Sequence, residues 1–157
     1  MADKTCDVLV VGAGIAGLAA AAAAAEEGRS VIVLEKGASY NFRGLHNAAL
    51  NTSFHEDQHI RIDKHEVIHT ILEFGAFRAD YRLIKTWADN CDKVFAWLVS
   101  LSRNAGYDVV LDATQKEWHF KNFPVAHVFV DKNSGRQGQV ILAKVLYDYC
   151  LQHEVKF

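Results

Sequence analysis

The strongest constraint on the fold is a group of three glycines, Gly12, Gly14 and Gly17, between an apolar run and an alanine-rich segment. The apolar run, Cys6–Val11, is short and rich in valine, and it predicts a buried strand covered on both faces in a parallel sheet. The alanine-rich segment, Ile15–Glu27, carries charges only at its end and predicts a buried helix. The glycines therefore belong to a turn between a strand and a helix.

A second strand is predicted directly after this helix. Gly28 stands where a glycine commonly follows the end of a helix, and Ser30–Leu34 is again a short apolar run. Strand, helix and strand in this order form a βαβ unit, whose two strands lie parallel in one sheet. The start of the chain is therefore expected to be an α/β structure.

Glu35, at the end of the second apolar run, completes a recognisable pattern. Gly12–Gly17 has the spacing G-x-G-x-x-G, and Glu35 follows Gly17 by eighteen residues, which is typical of a dinucleotide-binding turn. In such a turn the first glycine permits the bend, the second lets a pyrophosphate approach the backbone, and the third lets the helix pack closely on the strand. An ordinary glycine-rich turn is the alternative interpretation.

The pattern also predicts which groups contact a ligand. The start of the helix presents N–H groups and a partial positive charge to phosphates. The carboxylate of Glu35 is placed to accept a hydrogen bond from a ribose 2′-OH and repels a 2′-phosphate. NADP is therefore disfavoured, whereas FAD and NAD remain. The candidate cofactor-binding residues of this turn are Gly12, Ala13, Gly14, Ile15, Ala16 and Gly17.

Composition excludes several other classes of protein. The chain has 157 residues, of which 50% are apolar, and a formal net charge of −2, so neither a disordered chain nor a nucleic-acid binder is expected. The segment Val8–Ala25 is almost long enough to span a bilayer, but Asp3, Lys4 and Asp7 precede it instead of a net positive flank. We therefore expect no membrane span. The three scattered cysteines predict reduced thiols and a cytoplasmic location.

The remainder of the chain predicts helices around a small β element. Residues 35–63 are polar and are predicted to be irregular. A stripe of apolar side chains on one predicted helix favours packing in the core. The predicted elements are helices at Lys64–Phe77, Asp80–Asn104 and Gln137–His153, strands at Asp108–Leu111 and Ala126–Val130 that pair antiparallel, and the start of a strand at Val155–Phe157.

Two pairs of histidines raise the possibility of a metal site. His55 and His59, and also His65 and His69, are four residues apart and could lie on one helix face. The sequence has no H-E-x-x-H motif or cysteine pair to accompany them, and their surroundings are polar. Solvated surface histidines are therefore the favoured interpretation.

Two further stretches resemble a known family. The spacing Gly17-x3-Ala21-x2-Ala24-x3-Gly28 resembles the extended fingerprint of FAD-binding flavoproteins with two dinucleotide-binding domains. The segment Arg43–Ala49 resembles the flavin-contacting loop of the fumarate reductase/succinate dehydrogenase flavoprotein superfamily, with Leu45 in place of a glycine. The chain therefore resembles the N-terminal FAD-binding portion of that superfamily.

The resemblance implies FAD as the cofactor and further contacts to it. Lys36 would lie beside Glu35 at the adenosine ribose, and Val155 would lead back to the adenine pocket. The resemblance also implies which residues lie near the ribityl chain and the isoalloxazine ring: Arg43, Gly44, His46 and Asn47. Some relatives attach FAD covalently through a histidine of this loop, but a non-covalent contact by His46 is favoured.

The resemblance also implies a fold and an activity. The fold is a Rossmann-like α/β FAD-binding domain, with residues 1–157 as its N-terminal part, apparently truncated, and the substrate-capping domain absent. The complete enzyme would be an oxidoreductase that reduces an activated C=C bond of a small-molecule substrate by hydride transfer from flavin N5. No catalytic residue is assigned within the chain. The alternatives are a non-catalytic or split nucleotide-binding module that needs a partner chain, and an NAD-dependent oxidoreductase.

Overall fold

The predicted βαβ unit is present in the computed structural model, which describes residues 4–113 and 121–157. Strand β1 (Val8–Val11) is followed by helix α1 (Ile15–Glu26) and strand β2 (Val31–Leu34). The two strands are parallel, with Val8 opposite Val31 and Val11 opposite Leu34. The end of α1 is also as predicted, because Gly28 has a φ of 73° and its N–H donates to the carbonyl of Ala25.

The end of the chain adds to the free edge of β2. Lys156 forms a parallel bridge with Ile32. The N–H of Val33 donates to the carbonyl of Lys156 over 2.7 Å, and the N–H of Lys156 donates to the carbonyl of Val31 over 3.1 Å. Strand β2 therefore lies between β1 and the segment that was expected to begin a strand.

The prediction that this sheet is covered on both faces is wrong for the described residues. The inward side chains of β2, Val31 and Val33, are buried. On the opposite face, Leu9 is 56% exposed, Val11 81% and Leu34 52%. Helix α1 packs against the inward face and is itself covered by the last helix, α5 (Gln139–Gln152).

The second part of the fold is a small antiparallel sheet with helices around it. The predicted pairing of two strands is confirmed, since β4 (Asp108–Asp112) lies antiparallel to β5 (Ala126–Val130). A third strand, β3 (Asn47–Ala48), pairs with the other edge of β5. The helices of this part are α2 (Ser53–Asp57), α3 (Lys64–Phe74) and α4 (Tyr81–Asn104). Strand β3 and helix α2 fall within residues 35–63, which were expected to be irregular.

The long helix α4 supplies much of the core, as its apolar stripe predicts. The side chain of Asp80 caps its start by accepting the N–H of Arg82. Ala88 and Phe95 are buried, and Phe95 packs edge-on against Phe129 of β5 at 5.9 Å between ring centroids. The apolar stripe is not buried over its whole length, because Val94 is 51% exposed.

His55 departs from the expectation of a solvated surface histidine. Its side chain is fully buried, and its two ring nitrogens bond to the Thr52 hydroxyl (2.8 Å) and to the carbonyl of Pro124 (2.8 Å). The same hydroxyl lies 3.0 Å from Nε2 of His127, whose Nδ1 bonds to the carbonyl of Val125. The two histidines and Thr52 therefore tie α2 to β5. His55 can be buried because both of its ring nitrogens have hydrogen-bond partners within the protein.

The three cysteines are free thiols, as expected from their spacing. Cys91 and Cys150 are buried, and burial raises the pKa of the Cys150 thiol to about 11. Such a thiol is protonated at neutral pH and unreactive. None of the helices formed by the described residues is long and apolar enough to cross a membrane.

Candidate functional site

The glycine turn between β1 and α1 has the geometry that its spacing predicts. The N–H of Gly12 donates to the carbonyl of Leu34 over 2.7 Å, which fastens the turn to β2. Gly12 has a φ of 100°, a conformation that other residues rarely adopt. A Cβ atom on Gly17 would lie 1.9 Å from the carbonyl oxygen of Gly12. The start of α1 therefore approaches the end of β1 as closely as it does only because residue 17 is a glycine.

The start of α1 has no capping side chain. Its N-cap residue is Gly14, and no acidic residue occupies the first turn. Helices α3 and α4 differ, since Asp63 and Asp80 accept the N–H groups at their starts. A Cβ atom on Gly14 would meet nothing within 4 Å, so the space in front of the helix is open. The N–H groups at this uncapped start and the helix dipole suit an anion. Of the other predicted residues of the turn, Ala16 is exposed and Ile15 half-buried, whereas Ala13 is buried.

Glu35 lies against this turn. Its Oε2 accepts the N–H of Ala13 over 2.7 Å, and its Oε1 accepts the N–H of Gly37 over 2.8 Å. These two bonds, the first of them foremost, hold the pKa of the Glu35 carboxyl below its usual range. A carboxylate offers about four acceptor positions, so both oxygens keep capacity for further donors. Lys36, the neighbouring predicted residue, is exposed.

The Arg43–Ala49 loop is connected to the glycine turn through Asn41, whose N–H donates to the carbonyl of Ala13 over 2.9 Å. Arg43 and Gly44 are exposed. His46 is partly buried, and its Nε2 lies 3.0 Å from a carboxylate oxygen of Asp112. Because a carboxylate only accepts, Nε2 carries the hydrogen in this pair. The loop is thereby held against the end of β4.

The same loop is fastened to the start of α5. Gln139 donates from Nε2 to the carbonyl of His46 (2.9 Å) and to Oδ1 of Asn47 (3.0 Å). Leu45, which stands where the resembling family has a glycine, packs against Gly138. A Cβ atom on Gly138 would lie 2.8 Å from Cδ1 of Leu45. The glycine that directly precedes α5 therefore makes room for the leucine in the loop.

The structure does not bring every predicted site residue together. Val155 is buried and lies beside Val31, at the amino end of β2, whereas Glu35 follows its carboxyl end. Four residues of extended chain separate these positions by about 13 Å. Val155 is therefore not a neighbour of the glycine turn.

Sequence reasoning also missed three residues that shape the site: Asp112, Gly138 and Gln139. Asp112 directly follows a predicted strand, and Gln139 lies in a predicted helix. Neither residue belongs to a local motif, and their partners are 66 and 93 positions away in the chain. A pattern within one segment gives no signal for such contacts.

Two curated relatives share part of their sequence with this chain. A vinyl phenol reductase of Lactiplantibacillus plantarum is 32% identical over 120 residues, which are 72% of this chain and 24% of the relative. An NADH:fumarate oxidoreductase of Klebsiella pneumoniae is 34% identical over 102 residues, which are 62% of this chain and 11% of the relative. The chain thus spans about a quarter or less of these relatives.

The chain also matches solved structures and a family model. A flavocytochrome c3 fumarate reductase in its open conformation matches 98% of this chain, and 26% of its own, with a TM-score of 0.80 and 21% identity. A 3-ketosteroid-Δ4-(5α)-dehydrogenase of Rhodococcus jostii matches 99% of this chain and 38% of its own, with a TM-score of 0.74 and 21% identity. A family model described as FAD binding domain matches residues 7–157. The chain therefore belongs to the FAD binding domain family, whose members are FAD-dependent oxidoreductases.

Proposed function

We propose that this chain forms the part of a flavoenzyme that holds the adenosine diphosphate half of FAD and contacts the flavin ring. The observation that carries the proposal is the uncapped start of α1, which has open space in front of Gly14 and the carboxylate of Glu35 beside it. An anion binds at such a helix start, and the adjacent carboxylate accepts hydroxyl donors.

The glycine turn fits the pyrophosphate of FAD. A Cβ atom on residue 17 would lie 1.9 Å from the carbonyl oxygen of Gly12. Glycine at this position therefore lets the start of α1 lie close to the end of β1. Gly14 leaves the approach open, since no atom lies within 4 Å of the position its Cβ would take. The backbone at Gly14 and the first turn of α1 would therefore approach the two phosphates closely.

Glu35 fits the adenosine ribose. The hydrogen bond that it accepts from the N–H of Ala13 places the Glu35 carboxylate directly beside the glycine turn. The remaining lone pairs accept the ribose hydroxyls, and the negative charge disfavours a 2′-phosphate at this position. Lys36 is exposed next to it and adds a positive charge near the nucleotide.

The Arg43–Ala49 loop fits the flavin end of the cofactor. It is connected to the glycine turn through Asn41 and is held in place by Asp112 and Gln139. We place Arg43, Gly44, His46 and Asn47 near the ribityl chain and the isoalloxazine ring, with His46 as a non-covalent contact. Its bond to Asp112 fixes the hydrogen of the imidazole on Nε2.

In the full-length protein we propose the reduction of an activated C=C bond in a small molecule. When bound, FAD supplies the hydride chemistry at N5, while the protein orients the cofactor. The names of both curated relatives support this reaction, because vinyl phenol and fumarate each contain a C=C bond. We assign no proton donor to this chain and place the substrate-capping part outside it. The free thiols support a cytoplasmic location.

The proposal is tested by titrating the purified chain separately with FAD, ADP, NADH and NADPH, and following binding by calorimetry. We expect FAD to bind with one-to-one stoichiometry, ADP to bind more weakly, and the nicotinamide nucleotides to bind more weakly than FAD. With a reduced viologen as donor, the chain alone is expected not to reduce fumarate. Tight binding of NADH with no binding of FAD would instead support an NAD-dependent oxidoreductase.

A further inference from the structure

We propose that Gln139 is a positioning residue for the flavin, which holds Asn47 so that the NH2 group of Asn47 faces the cofactor as a hydrogen-bond donor. This inference rests on the proposed function, since it takes FAD as the ligand beside the Arg43–Ala49 loop. Gln139 belongs to none of the motifs that point to FAD, and it lies on α5, outside the loop that it contacts.

The contacts of Gln139 use both hydrogens of one carboxamide. Gln139 is the first residue of α5 and is 9% exposed. From Nε2 it donates to the carbonyl of His46 over 2.9 Å and to Oδ1 of Asn47 over 3.0 Å. Both acceptors belong to consecutive residues of the loop, so the backbone and one side chain of the loop are fixed together.

These bonds determine which way the Asn47 carboxamide faces. The oxygen and nitrogen of an amide have nearly the same shape, so hydrogen-bond partners decide their positions. The NH2 group of Gln139 can only donate, so the atom of Asn47 that faces it is the oxygen. The NH2 group of Asn47 is therefore turned away from Gln139.

The NH2 group of Asn47 lacks an acceptor in the part of the chain that the structure describes. Its Nδ2 atom is buried without a hydrogen-bond partner there. The cross-strand neighbour of Asn47 is His127, whose two ring nitrogens are already bonded to Val125 and Thr52. A buried donor without an acceptor is costly, so native structures seldom keep one without a reason.

A bound flavin would provide the missing acceptor. The isoalloxazine ring carries carbonyl oxygens and ring nitrogens that accept hydrogen bonds, and the Arg43–Ala49 loop is the part of the site assigned to it. Strand β3 fixes the backbone of Asn47 through its pairing with β5, and Gln139 fixes the side chain. The donor is thus oriented before the cofactor arrives, which lowers the entropy lost on binding.

Three variants test the inference. Asn47→Asp keeps the shape and the acceptor for Gln139 but replaces the NH2 group with an oxygen. Gln139→Leu removes both bonds to the loop, and Gln152→Leu makes the same change at an exposed position of the same helix. Each variant is titrated with FAD, which reaches both ends of the site, and with ADP, which reaches only the glycine turn.

We expect the Kd for FAD to rise about tenfold in Asn47→Asp and about fivefold in Gln139→Leu, as expected for the loss of one oriented hydrogen bond. The Kd for FAD should not change in Gln152→Leu, and the Kd for ADP should not change in any variant. Because Gln139 acts in part through Asn47, the double variant should bind FAD more tightly than the product of the two single effects predicts.

Other results would overturn the inference. An unchanged Kd for FAD in Asn47→Asp would show that the NH2 group meets no acceptor of the cofactor. Fully additive effects in the double variant, or a parallel loss of ADP binding in Gln139→Leu, would show that Gln139 supports the fold independently of Asn47. If the unsubstituted chain binds neither ADP nor FAD, the proposed function itself fails.

Discussion

Gly17→Ala is expected to destabilise the chain because of one close approach between α1 and β1. The added methyl group would lie 1.9 Å from the carbonyl oxygen of Gly12 and 3.3 Å from Cγ1 of Val10. Carbon and oxygen atoms that are not bonded normally stay about 3.3 Å apart or more. The helix would therefore have to move away from the strand by roughly 1 Å or more, because the obstructing atom belongs to the backbone and cannot rotate aside.

The size of the effect follows from two opposing contributions. Overpacking of this kind costs about 1–3 kcal/mol, and a rigid backbone neighbour favours the upper end of that range. Alanine in place of glycine inside a helix returns up to about 1 kcal/mol. We therefore expect the free energy of unfolding to fall by about 2 kcal/mol, together with weaker FAD binding as the N–H groups of α1 are displaced.

The measurement is urea unfolding followed by circular dichroism, with Gly75→Ala as the matched control. Gly75 ends α3 with a φ of −81°, and a Cβ atom there would make only ordinary contacts at 3.5 Å or more. The control should lie within about 0.5 kcal/mol of the unsubstituted chain, as is usual for a surface substitution. An equally small effect for Gly17→Ala would refute the close approach of α1 to β1.

Three further predictions concern stability at low pH, the contact of Glu35 with the ribose, and the linkage of the flavin to the protein. Burial, with His55 nearby, lowers the pKa of His127 from 6.5 to about 4, so between these values the unfolded chain binds more protons than the folded chain. Stability should therefore fall by up to about 3 kcal/mol as the pH drops from 6.5 to 4, and His127→Phe should lose this part of the pH dependence in urea unfolding. Glu35→Gln should weaken FAD and ADP alike by several-fold in calorimetric titrations and reduce discrimination against a 2′-phosphate; unchanged affinities would exclude a ribose contact. Acid precipitation of the FAD-loaded chain should release all the flavin into the supernatant, whereas flavin in the pellet would show a covalent bond, with His46 the first candidate.

The βαβ unit could be predicted from the sequence because its signals are local. Valine-rich runs, an alanine-rich helix and fixed glycine spacing each fall within one segment, and the pairing of β1 with β2 follows from them. The core role of α4 was predictable for the same reason, since helical periodicity extends over 24 residues. Long elements with a regular pattern leave little choice of structure.

The parts that could not be predicted depend on contacts between distant segments. Strand β3 has two residues, too few for any periodicity, and exists because β5 offers an edge. His55 serves as the capping partner of Thr52, a position where glutamate or glutamine is the usual signal. The orientation of Asn47 depends on Gln139, which lies 92 positions further along the chain. Burial and hydrogen bonding in the folded chain decided each of these.

The central claim is that the glycine turn of this chain holds the pyrophosphate of FAD, and Gly14→Ala tests it most directly. The added methyl group meets no protein atom within 4 Å and occupies the space assigned to the phosphates. Calorimetric titration should therefore show one-to-one FAD binding by the unsubstituted chain and at least about tenfold weaker binding by Gly14→Ala. Because alanine is a poorer N-cap residue than glycine, the free energy of unfolding in urea should fall by about 1 kcal/mol. A folded Gly14→Ala variant that binds FAD as tightly as the unsubstituted chain would contradict the claim.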